Sequence, residues 1–243
     1  MAKRERGWFG EMALAYGPPI LAVILIRLFV FEPFRIPSSS MLPTLLIGDQ
    51  VVVSKYAYGI WMHIPFPEVH NIPAVELVDL GDPERGDVIV FLWPVDNATN
   101  FIKRVVAIPG DKVRVVDNQV VVNGEVHVRE PVGRFRFVDD HCVTKEARHG
   151  VETIGGVPHD VLVDDRPGSL ANMPEVEVPP GHVFVMGDYR DNSQDSRSWR
   201  FVRFDQIKGK AHWIWISYDG CRPGVRVDRT GRHVTELVGS ESP

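Results

Sequence analysis

The sequence sets three serines between two prolines, Pro37-Ser38-Ser39-Ser40-Met41-Leu42-Pro43. Each proline biases the residue before it, Ile36 and Leu42, away from the helical region, so a stiffened loop carrying small hydroxyls is predicted rather than a helix. A serine hydroxyl becomes a nucleophile only when a base beside it takes its proton. None of the nine histidines stands in a motif that would make it that base or a metal ligand. Gly-x-Ser-x-Gly, His-Glu-x-x-His and the phosphate-binding glycine-lysine loop are all absent. The remaining candidate is Lys103. In the stretch 101–106, strand alternation puts Phe101, Lys103 and Val105 on one face and Ile102, Arg104 and Val106 on the other. A free lysine titrates at about 10.4 and is charged at neutral pH. Burial disfavours the charged form; a drop of about three units corresponds to roughly 4 kcal/mol, which an apolar pocket can supply. Taken singly, the serines also fit a linker, and the lysine fits a strand side chain that reaches solvent.

A third feature is residues 187–197, Gly-Asp-Tyr-Arg-Asp-Asn-Ser-Gln-Asp-Ser-Arg. Interleaved Asp and Arg make charge-assisted pairs, and Asn and Ser favour turns through local side-chain to backbone bonds. This mixture predicts one specified loop rather than a solvated turn.

The elements that must position these groups are mostly strands. Valine-rich alternating runs at 50–58, 88–93, 101–108, 113–116, 119–122, 182–186 and 211–218 are separated by Pro, Gly and Asn turns. Asp117-Asn118 is a two-residue hairpin signal. The predicted fold is an antiparallel, mostly β domain over 32–124 and 179–220. In the weakly patterned stretch 125–178 we expect a smaller inserted subdomain or long loops, and in 221–243 a polar C-terminal tail. Residues 12–31 are an apolar run near membrane-spanning length, although Pro18-Pro19 interrupts it and Arg27 sits near its far end. No small-x-small cleavage site follows, so an uncleaved transmembrane anchor is expected. Lys3, Arg4 and Arg6 keep residues 1–11 cytoplasmic and send the rest across. Net charge is -5 with no basic block, which argues against nucleic acid as a partner. Cys142 and Cys221 form neither a zinc motif nor a disulfide framework, and spacing alone leaves their pairing open.

Four segments in order resemble the bacterial type I signal peptidases, or leader peptidases, a Ser/Lys serine protease family: 36–45, 85–91, 101–113 and 187–197. The likeness is weak at 125–178 and after Tyr218. The resemblance implies that Ser40 is the nucleophile and Lys103 the general base. Ser38 would donate to the oxyanion with the Ser40 amide, and Ser193 would orient Lys103. Asp195 and Arg197, with Asp188, would hold the last loop against the core. Phe34, Ile36, Met41, Leu45, Val90, Phe101 and Ile102 would line shallow apolar pockets for small side chains, while also packing as ordinary β core. No metal or cofactor is implied. The implied substrates are secreted preproteins cut after small-x-small (A-x-A) sites at the lipid bilayer. The implied location is the bacterial cytoplasmic membrane, single-pass, with the catalytic domain on the periplasmic face. Ser39 stands where many relatives have glycine, and Tyr189 where many have asparagine. Many Gram-negative relatives also carry two membrane segments against one here. Two other readings fit the same residues: a narrower Ser/Lys peptidase that matures a pilin or conjugation factor, or a non-enzymatic anchored β domain.

Overall fold

The computed structural model describes residues 8–62 and 75–236. One helix, α1 (Trp8–Phe29), precedes sixteen strands. The strands are β1 (Phe31–Arg35), β2 (Asp49–Ser54), β3 (Gly59–Met62), β4 (Val75–Asp79), β5 (Val88–Leu92), β6 (Asn100–Ala107), β7 (Lys112–Val116) and β8 (Gln119–Val122). They continue with β9 (Glu125–His127), β10 (Glu130–Val138), β11 (Thr144–Ile154), β12 (Val157–Val163), β13 (Met173–Glu177) and β14 (His182–Met186). A short helix, α2 (Ser196–Trp199), then leads to β15 (Val202–Arg203) and β16 (Ile207–Ser217).

The main sheet has seven strands in the order β1-β2-β16-β5-β6-β14-β15, paired antiparallel. Its centre is buried on both faces. Val88, Val90 and Ile102 pack into one core with Ile36, Met41 and Leu45, while Ile89, Phe91 and Val105 pack into another with Val183 and Val185. That is why 88–92 reads as an unbroken apolar run instead of alternating. Beside it, β13-β7-β8-β9 form a four-stranded sheet. The β7–β8 hairpin turns at Asp117 and Asn118, both left-handed (φ 48° and 61°), as a two-residue turn of this kind requires.

The inserted region is not a set of long loops. It supplies β9 to β13, and β10-β11-β12 form a sheet of their own. Hydrophobic periodicity misses β11 and β12 because several of their buried residues are polar: His149, Glu152, His159 and Asp160 all lie inside, and His149 Nε2 meets Asp160 Oδ1 at 2.7 Å. The described part of the tail, 221–236, is also more ordered than its composition suggests. Cys221 is disulfide-bonded to Cys142, with Cα atoms 5.5 Å apart. Arg229 is buried against Asp49 (2.7 Å), and Val234 joins the core beside Ile214.

The helix α1 runs through Pro18 and Pro19 and stops at Phe29, so Phe31 belongs to β1 and not to the apolar run. Among the described residues no helix is long and apolar enough to cross a membrane. The basic residues Lys3, Arg4 and Arg6 lie outside the described residues.

Candidate active site

The serine loop joins β1 to β2. Ser38 is extended (φ −129°), and Ser39–Met41 make a single 3-10 turn, so a tight turn does form between the two prolines. Leu42 is extended ahead of Pro43, as the proline ring demands. Met41, Leu45 and Ile36 are sunk into the core and fix the loop to the sheet. The Tyr189 amide donates to Ser40 O at 3.1 Å, and Asn192 Nδ2 donates to Ser39 Oγ at 2.6 Å. Ser40 is thereby held at the surface of the core, 8% exposed.

Lys103 comes from β6, opposite Ile89 of β5. It is 3% exposed, and its Nζ donates to Ser40 Oγ at 2.5 Å. The ammonium lies 5.6 Å from the Phe101 ring centroid, on the face that strand alternation assigns to it. Burial pulls its pKa from 10.5 down to about 8; Asp195 and Asp188 oppose the shift, and Arg197 adds to it. Ser38 Oγ stands 3.4 Å from Ser40 Oγ at the exposed side.

The 187–197 loop frames this pair with buried ion pairs. Asp188 accepts from Arg104 Nε (2.9 Å) and Nη2 (2.7 Å) and from Thr44 Oγ1 (2.6 Å). Burial alone would raise the Asp188 carboxyl, but Arg104 more than offsets it and holds the group below the usual range. Asp195 caps α2, accepts from Gly187 N at 3.0 Å, and takes both Nε and Nη2 of Arg197 at 2.8 Å. Its pKa is likewise lowered, with Arg197 outweighing the cost of burial. Arg190 pairs with Glu152 of β11, and Asp191 accepts from Asn118 Nδ2 and from the amides of Asp164 and Gly168.

Ser193 does not bond Lys103 in this structure. Its Oγ is buried beside the Asp195 carboxylate, packed where a side chain on Gly187 would stand, while the lysine amine is engaged by Ser40. Of the expected pocket residues, Phe34, Ile36, Met41, Leu45, Val90 and Ile102 share one apolar cluster, whereas Phe101 packs in the neighbouring one. Met41 and Leu45 have no exposed surface, so they act here as packing.

Sequence reasoning gave no individual role to Arg104, Arg190, Glu152 or Thr44. The two arginines and Thr44 fall inside segments 101–113, 187–197 and 36–45; Glu152 carries no local signal, because only the fold brings it to the loop. The structure also contains a Ser–His contact, Ser54 Oγ to His212 Nε2 at 2.6 Å. Ser54 has no exposed surface, so no substrate carbonyl reaches it. Among the described residues no cluster of three or more His, Cys, Asp or Glu is placed to hold a metal.

A hydroxyl against a desolvated amine, on a β scaffold, is the arrangement of a serine hydrolase that uses lysine in place of histidine. The family model described as signal peptidase, peptidase S26, matches residues 9–216. A signal peptidase I of Pseudomonas fluorescens is 36% identical over 221 residues, covering 86% of this chain and 72% of that one. One from Pseudomonas aeruginosa is 36% identical, covering 86% and 72%, and one from Buchnera aphidicola is 32% identical, covering 94% and 83%. The chain belongs to the signal peptidase family, peptidase S26: it is a type I signal peptidase, a serine peptidase that removes signal peptides.

Proposed function

We propose that Ser40 and Lys103 are the nucleophile and general base of this peptidase. The observation that carries the reading is the 2.5 Å contact between Lys103 Nζ and Ser40 Oγ in a site where both groups are buried. With its pKa near 8, the amine is neutral in a useful fraction of molecules at neutral pH. It takes the Ser40 proton, and Oγ attacks the carbonyl at the cleavage site. The Ser40 amide and the Ser38 hydroxyl stabilise the oxyanion, a contribution of about 100-fold or more in rate. Lys103 then protonates the leaving amine and activates the water that clears the acyl-enzyme. Ser193 orients Lys103. Asp188, Asp195 and Arg197 keep the loop in register.

The substrates are secreted preproteins with small residues one and three positions before the cut. Their side chains enter shallow apolar pockets shaped by Phe34, Ile36, Val90 and Ile102, with Phe101 alongside and Met41 and Leu45 packed beneath. The apolar stretch that contains α1 tethers the chain to the bacterial cytoplasmic membrane, with the β domain on the periplasmic side. The exposed Leu14, Tyr16, Ile20, Leu21 and Val23 of α1 favour this placement, as do the basic residues ahead of it.

The test is cleavage of a preprotein carrying an A-x-A site by the detergent-solubilised chain. Wild type is expected to cut after the second alanine, and Ser40→Ala and Lys103→Ala to leave the preprotein whole. Cutting that survives either substitution overturns the assignment.

A further inference from the structure

The aromatic wall beside Lys103 has a second layer. The β5–β6 register sets Phe91 opposite Phe101 and Ile89 opposite Lys103, and the Trp93 amide donates to Thr99 O at 2.8 Å. Alternate residues of a strand share a face, so Trp93, Phe101 and Lys103 follow one another along one side of this strand pair. The Trp93 and Phe101 rings are parallel within 3°, with centroids 5.3 Å apart. The Phe101 ring in turn lies 5.6 Å from Lys103 Nζ. The direction from the amine through Phe101 to Trp93 leads outward to the turn where Val95, Ala98 and Thr99 are exposed. Phe101 is itself only partly buried, so the indole is what backs it on that side. Trp93 Nε1 is buried and makes no hydrogen bond, which leaves the ring face as the part in use.

We propose that Trp93 is a positioning residue for the peptidase reaction: its indole pins the Phe101 ring beside the Lys103 amine and keeps water from reaching that amine. The inference rests on the reading of Lys103 as the base. The charged groups that bear on Lys103 are Asp195, Asp188 and Arg197. All three come from the 187–197 loop, so a change at Trp93 alters the solvation of the amine and leaves those charges where they are. A hydrated amine holds its proton more tightly, and the base is then short of its neutral form at neutral pH.

The experiment is a pH profile of kcat/KM for the full chain in detergent micelles, on a peptide with alanine one and three positions before the cut. Wild type, Trp93→Leu, Trp93→Phe and Lys103→Ala are compared. The rising limb of Trp93→Leu is expected about one unit above that of wild type, giving roughly a tenfold loss below the limb that disappears at alkaline pH. Trp93→Phe, which keeps a stacking ring, is expected to hold the wild-type limb. A Trp93→Leu limb that coincides with wild type, whatever the loss at the plateau, overturns the proposal. So does a Trp93→Phe limb displaced as far as that of Trp93→Leu. If Trp93→Leu does not fold, Trp93→Met takes its place under the same criteria. Activity in Lys103→Ala would instead bring down the assignment of the base itself. An inactive Lys103→Ala beside an unmoved Trp93→Leu limb removes only the role of Trp93.

Discussion

Arg190 grips Glu152 with both terminal nitrogens, at 3.0 and 2.6 Å, and each of these side chains is 1% exposed. Glu152 belongs to the inserted region and Arg190 to the loop that frames Ser40 and Lys103. The stretch 125–178 therefore braces the loop that frames Ser40 and Lys103. Burial would raise the Glu152 carboxyl, but Arg190 keeps it below its ordinary range. Glu152→Gln leaves a buried guanidinium without a counter-charge, and about 3–5 kcal/mol of stability is expected to be lost in urea unfolding. The double replacement Glu152→Met with Arg190→Met should recover much of that loss, because it removes both charges from the interior.

Acid sensitivity follows from the same groups. Glu152, Asp188 and Asp195 all have lowered pKa values in the folded chain, from ordinary values of 4.5, 3.8 and 3.8. The folded state then binds fewer protons than the unfolded state, so the stability these carboxylates supply is present above their ordinary values. It is lost as pH falls through the folded ones. Circular dichroism during acid titration should show cooperative unfolding below the ordinary carboxylate range. Asp188→Asn should begin to unfold from a lower starting stability.

Lys103 has the opposite sign. Its folded pKa, about 8, lies below the ordinary 10.5, so the unfolded chain binds more protons between those values. Stability therefore rises with pH across that window. Below it, the buried ammonium costs the native state roughly 3 kcal/mol. Lys103→Met should be inactive yet more stable than wild type at pH 7, and the gap should close as pH approaches 10.5. Paired denaturant titrations at neutral and alkaline pH measure this; a gap that does not change with pH would contradict the desolvated lysine.

Gly187 lies where a methyl group would press on Ser193 Oγ and on the carbonyl oxygen of Ser40. Gly187→Ala has no left-handed backbone to strain, so its effect falls on the position of Ser40, the proposed nucleophile. A displacement approaching 1 Å costs about 100-fold in kcat. Peptide cleavage is expected to fall by that order while the thermal midpoint drops only modestly; unchanged cleavage would show that the loop yields freely.

The Cys142–Cys221 bridge spans 79 residues and ties the β10–β11 turn to the chain leaving β16. Closing a loop of that length reduces the entropy of the unfolded chain by about 4 kcal/mol in equivalent free energy. Reduction, or Cys142→Ser with Cys221→Ser, should lower unfolding stability by an amount of that order, measured as a lower urea midpoint with a steeper slope, because the unfolded chain without the cross-link exposes more surface.

The sequence by itself determined the serine loop, the face of the strand that carries Lys103, and the hairpin beyond it. Prolines on either side of the serines dictated a loop, alternation put Lys103 beside Phe101, and Asp117-Asn118 dictated a hairpin. These are local effects of backbone sterics and strand periodicity, so they are visible within a few residues. Tertiary structure alone decided what depends on distant partners. It buried Lys103 beside Ser40, 63 positions away, and so set the lysine's charge. It placed Arg104 on Asp188 and Glu152 on Arg190. It also folded the stretch 125–178 into strands whose interior is partly charged. Hydrophobic patterning cannot announce such strands, because a buried charge is tolerated only where the partner that neutralises it arrives from elsewhere in the chain.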